Sequence, residues 1–285
     1  VGVSVITFSI MQLAPGDPAA IMLGGDFILF ATEQDMEDAR DALGVNRPAA
    51  IQYLDWAGGF FRGDLGTSLF TGKTVQELVG NRIETTVSLV LMGLGLAVLL
   101  GIPIGVLAAW KQNSITDRTI MVFAVIGFSM PVFWLAFNLI WLFSVRLGWF
   151  PVFGYVEITE NFPKYLHHMA LPAISLGVAF MAIIARMTRA SMLEVLREDY
   201  VRTARAKGLV ERVVLLRHAL RAGALPIVTI IGLAFAGLVT GSVLVEVVFA
   251  LPGMGRLFVN SVGDRDFPVI QGLMMIFAGS YVFVN

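Results

Sequence analysis

Histidines, carboxylates and a glycine-lysine loop are the residues of this sequence whose types could do chemistry. His167 and His168 are neighbours, so on a helix they point apart and make a poor bidentate metal ligand, and His218 stands alone. The HExxH and GxSxG patterns do not occur, nor do carboxylate pairs inside apolar stretches, which a proton relay or aspartyl chemistry would need. A phosphate-binding loop GxxxxGK[ST] is missing too. Its nearest lookalike, GTSLFTGKT from Gly66, has one residue too many before Gly72 and Lys73. No catalytic or metal residue is therefore assigned, and if ATP drives this protein, another chain hydrolyses it. Glu246 is the one acid within an apolar run, where it either pairs with a base in a neighbouring span or subunit or lines a pathway.

Composition says what must position these residues. The chain has 285 residues, 57% hydrophobic and 14% charged, with a mean hydropathy of +0.79. A soluble domain carries about 25% charged residues, so much of this surface must face lipid. Cys is absent, which excludes a disulfide framework, thiolate metal sites and cysteine nucleophiles. A formal net charge of −1 gives nucleic-acid binding no support.

A bilayer-crossing helix needs ~20 mostly apolar residues. Residues 1–14 read as the remainder of a first span. Further spans are expected over about 85–110, 119–146, 169–190, 222–250 and 269–285. Closed backbone hydrogen bonding makes them helices. The fold expected is thus all-α and polytopic, with six transmembrane helices and a core over 83–285. Gly93, Gly95, Gly101 and Gly105 suit close helix packing, and Pro103, Pro131 and Pro172 are candidate bending points. Ser129, Met130 and Pro131, with Glu246, are candidate pathway or gate residues.

A polar insert over 15–82 holds ten acids and five bases. It is partly helical by pattern. Thr32 and Asp35 look like a cap with an acidic first turn, Gly44 suits a stop, and Ile51, Tyr53, Leu54, Trp56 and Phe60 make a rough apolar face for the outer membrane surface or the spans. Residues 186–221 instead hold nine Lys or Arg, which places them in the cytoplasm and the insert outside. In that basic segment Met192 to Lys207 has a helical pattern ended by Gly208, and a second helix follows from Val210 to Ala222, before Pro226 opens the fifth span. The result is a knob. Its bases suit anionic lipid, and its small residues Thr203, Ala204 and Ala206 suit close approach to another protein.

Several motifs carry a resemblance. LAPGDPA at Leu13, RGDLGTS at Arg62, FWLAFNLIWLFSVRLGWFPVFG at Phe133, REDYVRTARAKGL at Arg197, VEVVFALPGMGRL at Val245 and RDFPVIQG at Arg265 occur in order over essentially the whole chain. The sequence resembles the permease subunits of dipeptide, oligopeptide and nickel importers, within the binding-protein-dependent ATP-cassette transporters. The resemblance implies the type I importer permease fold in a bacterial inner membrane. It also implies a second homologous permease, two cytoplasmic ATPase subunits that use ATP and Mg, and an extracytoplasmic substrate-binding protein.

In that superfamily the cytoplasmic loop carries an EAA…G motif that docks in a groove of the ATPase. Registered on Gly208, the motif falls on Arg202, Thr203 and Ala204, so Arg replaces the Glu. The later Leu-Pro falls on Leu220 and Arg221, so that proline is absent as well. The docking residues implied are Ser191, Val195, Asp199, Tyr200, Thr203, Ala204, Arg205, Ala206, Lys207 and Gly208. Outer-loop residues implied to face the binding protein are Asp64, Pro252, Gly253, Gly255, Arg265 and Asp266. Members of the family move dipeptides, longer peptides, glutathione, nickel chelates and some sugars. The rival classes are an integral membrane enzyme and a passive channel. The first would need reactive residues clustered at one depth, and the second would not need the knob.

Overall fold

A computed structural model describes residues 2–13, 18–23, 32–44 and 46–284. Residues 14–17 of the LAPGDPA motif lie outside the described residues, as do 24–31 and Val45 in the insert and both terminal residues. Among the described residues every regular element is helical, and the one extended pairing is an isolated bridge between Thr67 and Thr74.

The helices in chain order are α1 (Gly2–Leu13), α2 (Pro18–Leu23), α3 (Glu33–Leu43), α4 (Ala49–Phe61), α5 (Val75–Trp110) and α6 (Ile115–Ser129). Then come α7 (Val132–Leu139, continued by π-helical turns Ile140–Arg146), α8 (Phe162–Val195), α9 (Asp199–Ala206) and α10 (Glu211–Val213). Further π-helical turns, Val214–Ala219, lead to α11 (Leu220–Ala222), followed by α12 (Ala224–Val248), α13 (Met254–Asp264) and α14 (Phe267–Val284). Of these, α5, α8, α12 and α14 are each long and apolar enough to cross a bilayer, and α6 with α7 and its π-helical turns forms a bent pair that is a broken span or a re-entrant loop. The first of the six expected spans falls on α1, of which 12 residues are described. Among the described residues the count by length and composition is four, or five with the bent pair taken as one span.

The third expected span bends at Pro131, one of the three candidate bending points. Its two halves meet at 102°, across Met130 and Pro131. Pro131 has no amide hydrogen, and Met130 before it is extended (φ −76°, ψ 129°), as a residue preceding proline prefers. Pro103 and Pro172, by contrast, sit inside α5 and α8, which run on through them.

The chain divides into two units, 1–84 with 253–283, and 85–252. In the first, Val75, Leu78 and Val79 of α5 pack with Met254, Val269 and Leu273. Gly272 permits this, since a Cβ there would meet a Val75 methyl at 2.8 Å. Helix α3 is capped at both ends. Thr32 Oγ1 accepts from the Asp35 amide at 3.2 Å, Asp35 Oδ2 accepts from the Thr32 amide at 2.8 Å, and Gly44 takes φ 68° at the other end. The aromatic face of α4 lies against α1. Tyr53 meets the Phe8 ring edge-on and Trp56 lies tilted against it, and Ser4 shares a 2.9 Å hydrogen bond with the Tyr53 hydroxyl.

In the second unit Leu89, Met169, Leu176, Leu238 and Phe249 form the main core. Here α5 and α8 meet through glycine. A Cβ on Gly105 would sit 2.5 Å from the Ala185 carbonyl oxygen, and one on Gly101 would sit 2.9 Å from that of Met181. Gly93 packs against Leu176 and Leu238, whereas Gly95 has open space about it and contributes no close approach.

Candidate functional site

The basic knob is built differently from the expected helix-Gly-helix. The helix expected from Met192 to Lys207 is two helices. α8 continues to Val195, a turn occupies Leu196 to Glu198, and α9 begins at Asp199. Glu198 is extended (φ −68°, ψ 146°), and Asp199 supplies the negative charge a first helical turn favours. The break lets Val201 and Ala204 fold back against Val195, Leu196 and Val214, a small core of the knob's own.

That packing divides the docking residues. Asp199, Tyr200, Thr203, Arg205, Ala206, Lys207 and Gly208 are exposed, while Ser191 and Ala204 are buried and Val195 is half-buried. Ala204 therefore serves the knob's interior and does not make the close outward approach expected of it. Thr203 and Ala206 remain available for that. Gly208 reverses the chain with φ 79°. Across that reversal Arg205 donates to Glu211 through Nη2 at 2.7 Å and Nε at 3.2 Å, and this hydrogen bonding holds the guanidinium pKa above its ordinary value. Arg202, in the position of the motif Glu, makes only an exposed 3.4 Å contact with Asp199.

Two ties fix the stems of the knob. Ser191 Oγ donates to the Gly223 carbonyl at 2.8 Å, and a Cβ on Gly223 would stand 2.6 Å from that hydroxyl. Arg189 donates to both carboxylate oxygens of Asp117, at 2.6 and 2.7 Å. Neither tie was read from the sequence. Pairs 32 and 72 residues apart leave no local pattern. One signal did exist, since Ser114 and Asp117 have N-cap spacing and Ser114 Oγ accepts from the Asp117 amide at 3.2 Å.

The candidate gate residues Ser129, Met130 and Pro131 occupy the 102° bend. Glu246 is fully buried in α12 and accepts a 2.6 Å hydrogen bond from Thr86 Oγ1 of α5. Its carboxylate is thus engaged inside the helix packing.

The outer-loop motifs meet one another. Asp266 of RDFPVIQG, 4% exposed, accepts from the Ser68 hydroxyl of RGDLGTS and from the Leu69 amide at 3.1 Å. Asp64 Oδ1 accepts from the Gly66 amide at 2.9 Å, and Gly66 takes φ 87° against Pro268. Asp64, Pro252 and Arg265 are exposed, whereas Gly253, Gly255 and Asp266 are buried. The two adjacent histidines bond backbone. His167 Nε2 lies 2.7 Å from the Trp149 carbonyl oxygen, and His168 Nδ1 lies 2.8 Å from that of Lys164.

Residues 101–285 match the family described as the inner membrane component of binding-protein-dependent transport systems, and residues 1–90 match its N-terminal companion. The chain belongs to this family. As a family member it is a multi-pass inner membrane transport component, in keeping with its apolar helices. Similar curated proteins include a probable peptide ABC transporter permease of Sinorhizobium fredii, 43% identical over 99% of this chain and 89% of that one. The dipeptide transport system permease of Alkalihalophilus pseudofirmus is 40% identical, covering all of this chain and 90% of its own. The oligopeptide transport system permease of Bacillus subtilis is 42% identical with the same coverage. Among solved structures, the MetNI methionine ABC transporter in its inward-facing form matches with a TM-score of 0.60 at 18% identity, over 73% of this chain and 92% of that one. That likeness is one of fold, the all-helical fold of a type I ABC importer permease.

Proposed function

We propose that this transport component forms half of the translocation pathway of an ATP-driven importer of dipeptides or short oligopeptides. In this reading the knob from Ser191 to Arg221 docks on a cytoplasmic ATPase subunit. The observation that carries it is the exposed side of α9, where Tyr200, Thr203 and Ala206 lie outward while Val201 and Ala204 anchor the helix from behind. Relatives named for peptide, dipeptide and oligopeptide transport support the solute class.

The partners are a second homologous permease, two ATPase subunits that bind ATP and Mg, and an extracytoplasmic substrate-binding protein. Solute moves by alternating access. ATP closes the ATPase pair, the knobs follow, and the cavity between the permeases opens outward to the binding protein. Such coupling requires the ATPase to bind the two permease states with different affinity. Asp64, Pro252 and Arg265, which are exposed, are the outer residues proposed to meet the binding protein. Buried Asp266 holds the loop around Ser68 and Leu69.

The test is uptake of labelled dipeptide and tetrapeptide by vesicles holding the complete complex. Ala206→Trp is expected to lower uptake about tenfold and to weaken ATPase co-purification while the permease stays folded. Uptake of a nickel chelate or glutathione in place of peptide would overturn the solute class. Retained uptake in Ala206→Trp would overturn the docking site.

A further inference from the structure

Arg189 lies two residues before Ser191, where the knob begins, and it reaches sideways from α8 to the first turn of α6. Its partner Asp117 is nearly sealed, with its side chain 3% exposed, and Arg189 is 24% exposed. Both carboxylate oxygens are committed, at 2.6 Å to Nε and 2.7 Å to Nη2, and Oδ2 also accepts from the Asn113 amide at 3.0 Å. Asn113 turns the chain with φ 63° so that its amide can do so. A fork-to-fork pair fixes orientation as well as distance, so α6 cannot rotate against α8 without breaking it. Behind the pair the helices pack tightly, with Gly127 of α6 against Val178 of α8.

We propose that Asp117 and Arg189 are positioning residues that make α6 move as one body with α8, so that displacement of the knob is delivered to the bend at Met130 and Pro131. This rests on the coupling reading above. Three observations form one chain. Ser191 ties α8 to the start of α12 through Gly223, Arg189 ties α8 to α6, and the far end of α6 is the 102° bend. One stem of the knob, α8, is therefore fastened to the helix that ends at the candidate gate, and the other stem is fastened to α8. A break in the pair lets α8 slide past α6, and the knob then moves without moving the bend.

The experiment uses the complete complex in vesicles and reads solute moved per ATP hydrolysed, beside co-purification of the ATPase. Asp117→Asn and Arg189→Gln are each expected to lower that ratio at least about tenfold while the ATPase stays bound, and the swap Asp117→Arg with Arg189→Asp restores most of it. An unchanged ratio in folded single variants overturns the clamp, and so does a swap that rescues nothing. Failure of the unsubstituted chain to retain an ATPase overturns the coupling reading instead.

Should the single variants not fold, a chain with both residues intact decides. The chain has no cysteine, so spin labels can be placed at exposed Val122 and Ala190 across the pair, and at Val122 and exposed Phe137 across the bend. The first distance is expected to stay constant on ATP binding while the second changes. A first distance that changes as much as the second overturns the proposal.

Discussion

The outer clasp and the basic knob use polar residues in opposite ways. At the clasp, Asp266 and Ser68 turn their polar groups inward and satisfy each other out of water. At the knob, two buried residues, Val201 and Ala204, hold α9 from behind, and its polar side chains turn outward. The clasp is built to hold its own chain together. The knob is built to present a surface. Burial, and not the presence of charge, separates the two roles.

That contrast can be broken by substitution. The largest effect is expected at the clasp. Asp266→Ala leaves the buried Ser68 hydroxyl without its acceptor, at about 1–3 kcal/mol, and frees the half-buried Leu69 amide as well. Lowered thermal stability and poor yield of the detergent-solubilised protein would show it. Next comes the knob's own core. Ala204→Trp overfills it and is expected to cost about 1–3 kcal/mol, read as a lower melting temperature. Ala206→Trp, two residues away on the exposed side, should leave stability within about 0.5 kcal/mol. Its effect falls on uptake, lowered about tenfold by ~1.4 kcal/mol lost at an interface.

Smaller effects follow at solvated pairs. Arg205→Ala removes the bonds to Glu211, but both side chains are more than a third exposed, so thermal melts should move by no more than about 1 kcal/mol. Least of all is the cap of α3. Hydrogen bonds from Thr32 hold the Asp35 carboxyl below its ordinary 3.8. A depressed carboxylate stabilises above its unfolded value, and the gain is lost as pH falls through the folded one. Acid titration followed by circular dichroism should show α3 fraying below that range, and Asp35→Asn should remove the step.

Much of this was legible in the sequence. Apolar runs, capping residues and the charge imbalance between insert and basic segment depend on local pattern, and patterns survive in one dimension. The cap at Thr32 and the stop at Gly44 are where the spacing placed them. The break between Val195 and Asp199 was hidden, because Met192 to Lys207 keeps a helical rhythm throughout, and only the packing of Val201 on Val214 requires the turn. The orientation of Ala204 was hidden for the same reason. Proline marked three possible bends, and only tertiary packing decides which of them breaks a helix. The Asp117–Arg189, Thr86–Glu246 and Ser68–Asp266 pairs join residues 72, 160 and 198 apart, which no local spacing encodes.

The central claim, that the outward side of α9 meets an ATPase, has one direct test. Since the chain has no cysteine, single cysteines at Thr203, Ala204 and Ala206 can be cross-linked to the ATPase subunit in the assembled complex. Cross-links from positions 203 and 206, and none from buried position 204, are the predicted result. Cross-links from none of the three, or from 204 as readily as from its neighbours, would contradict it.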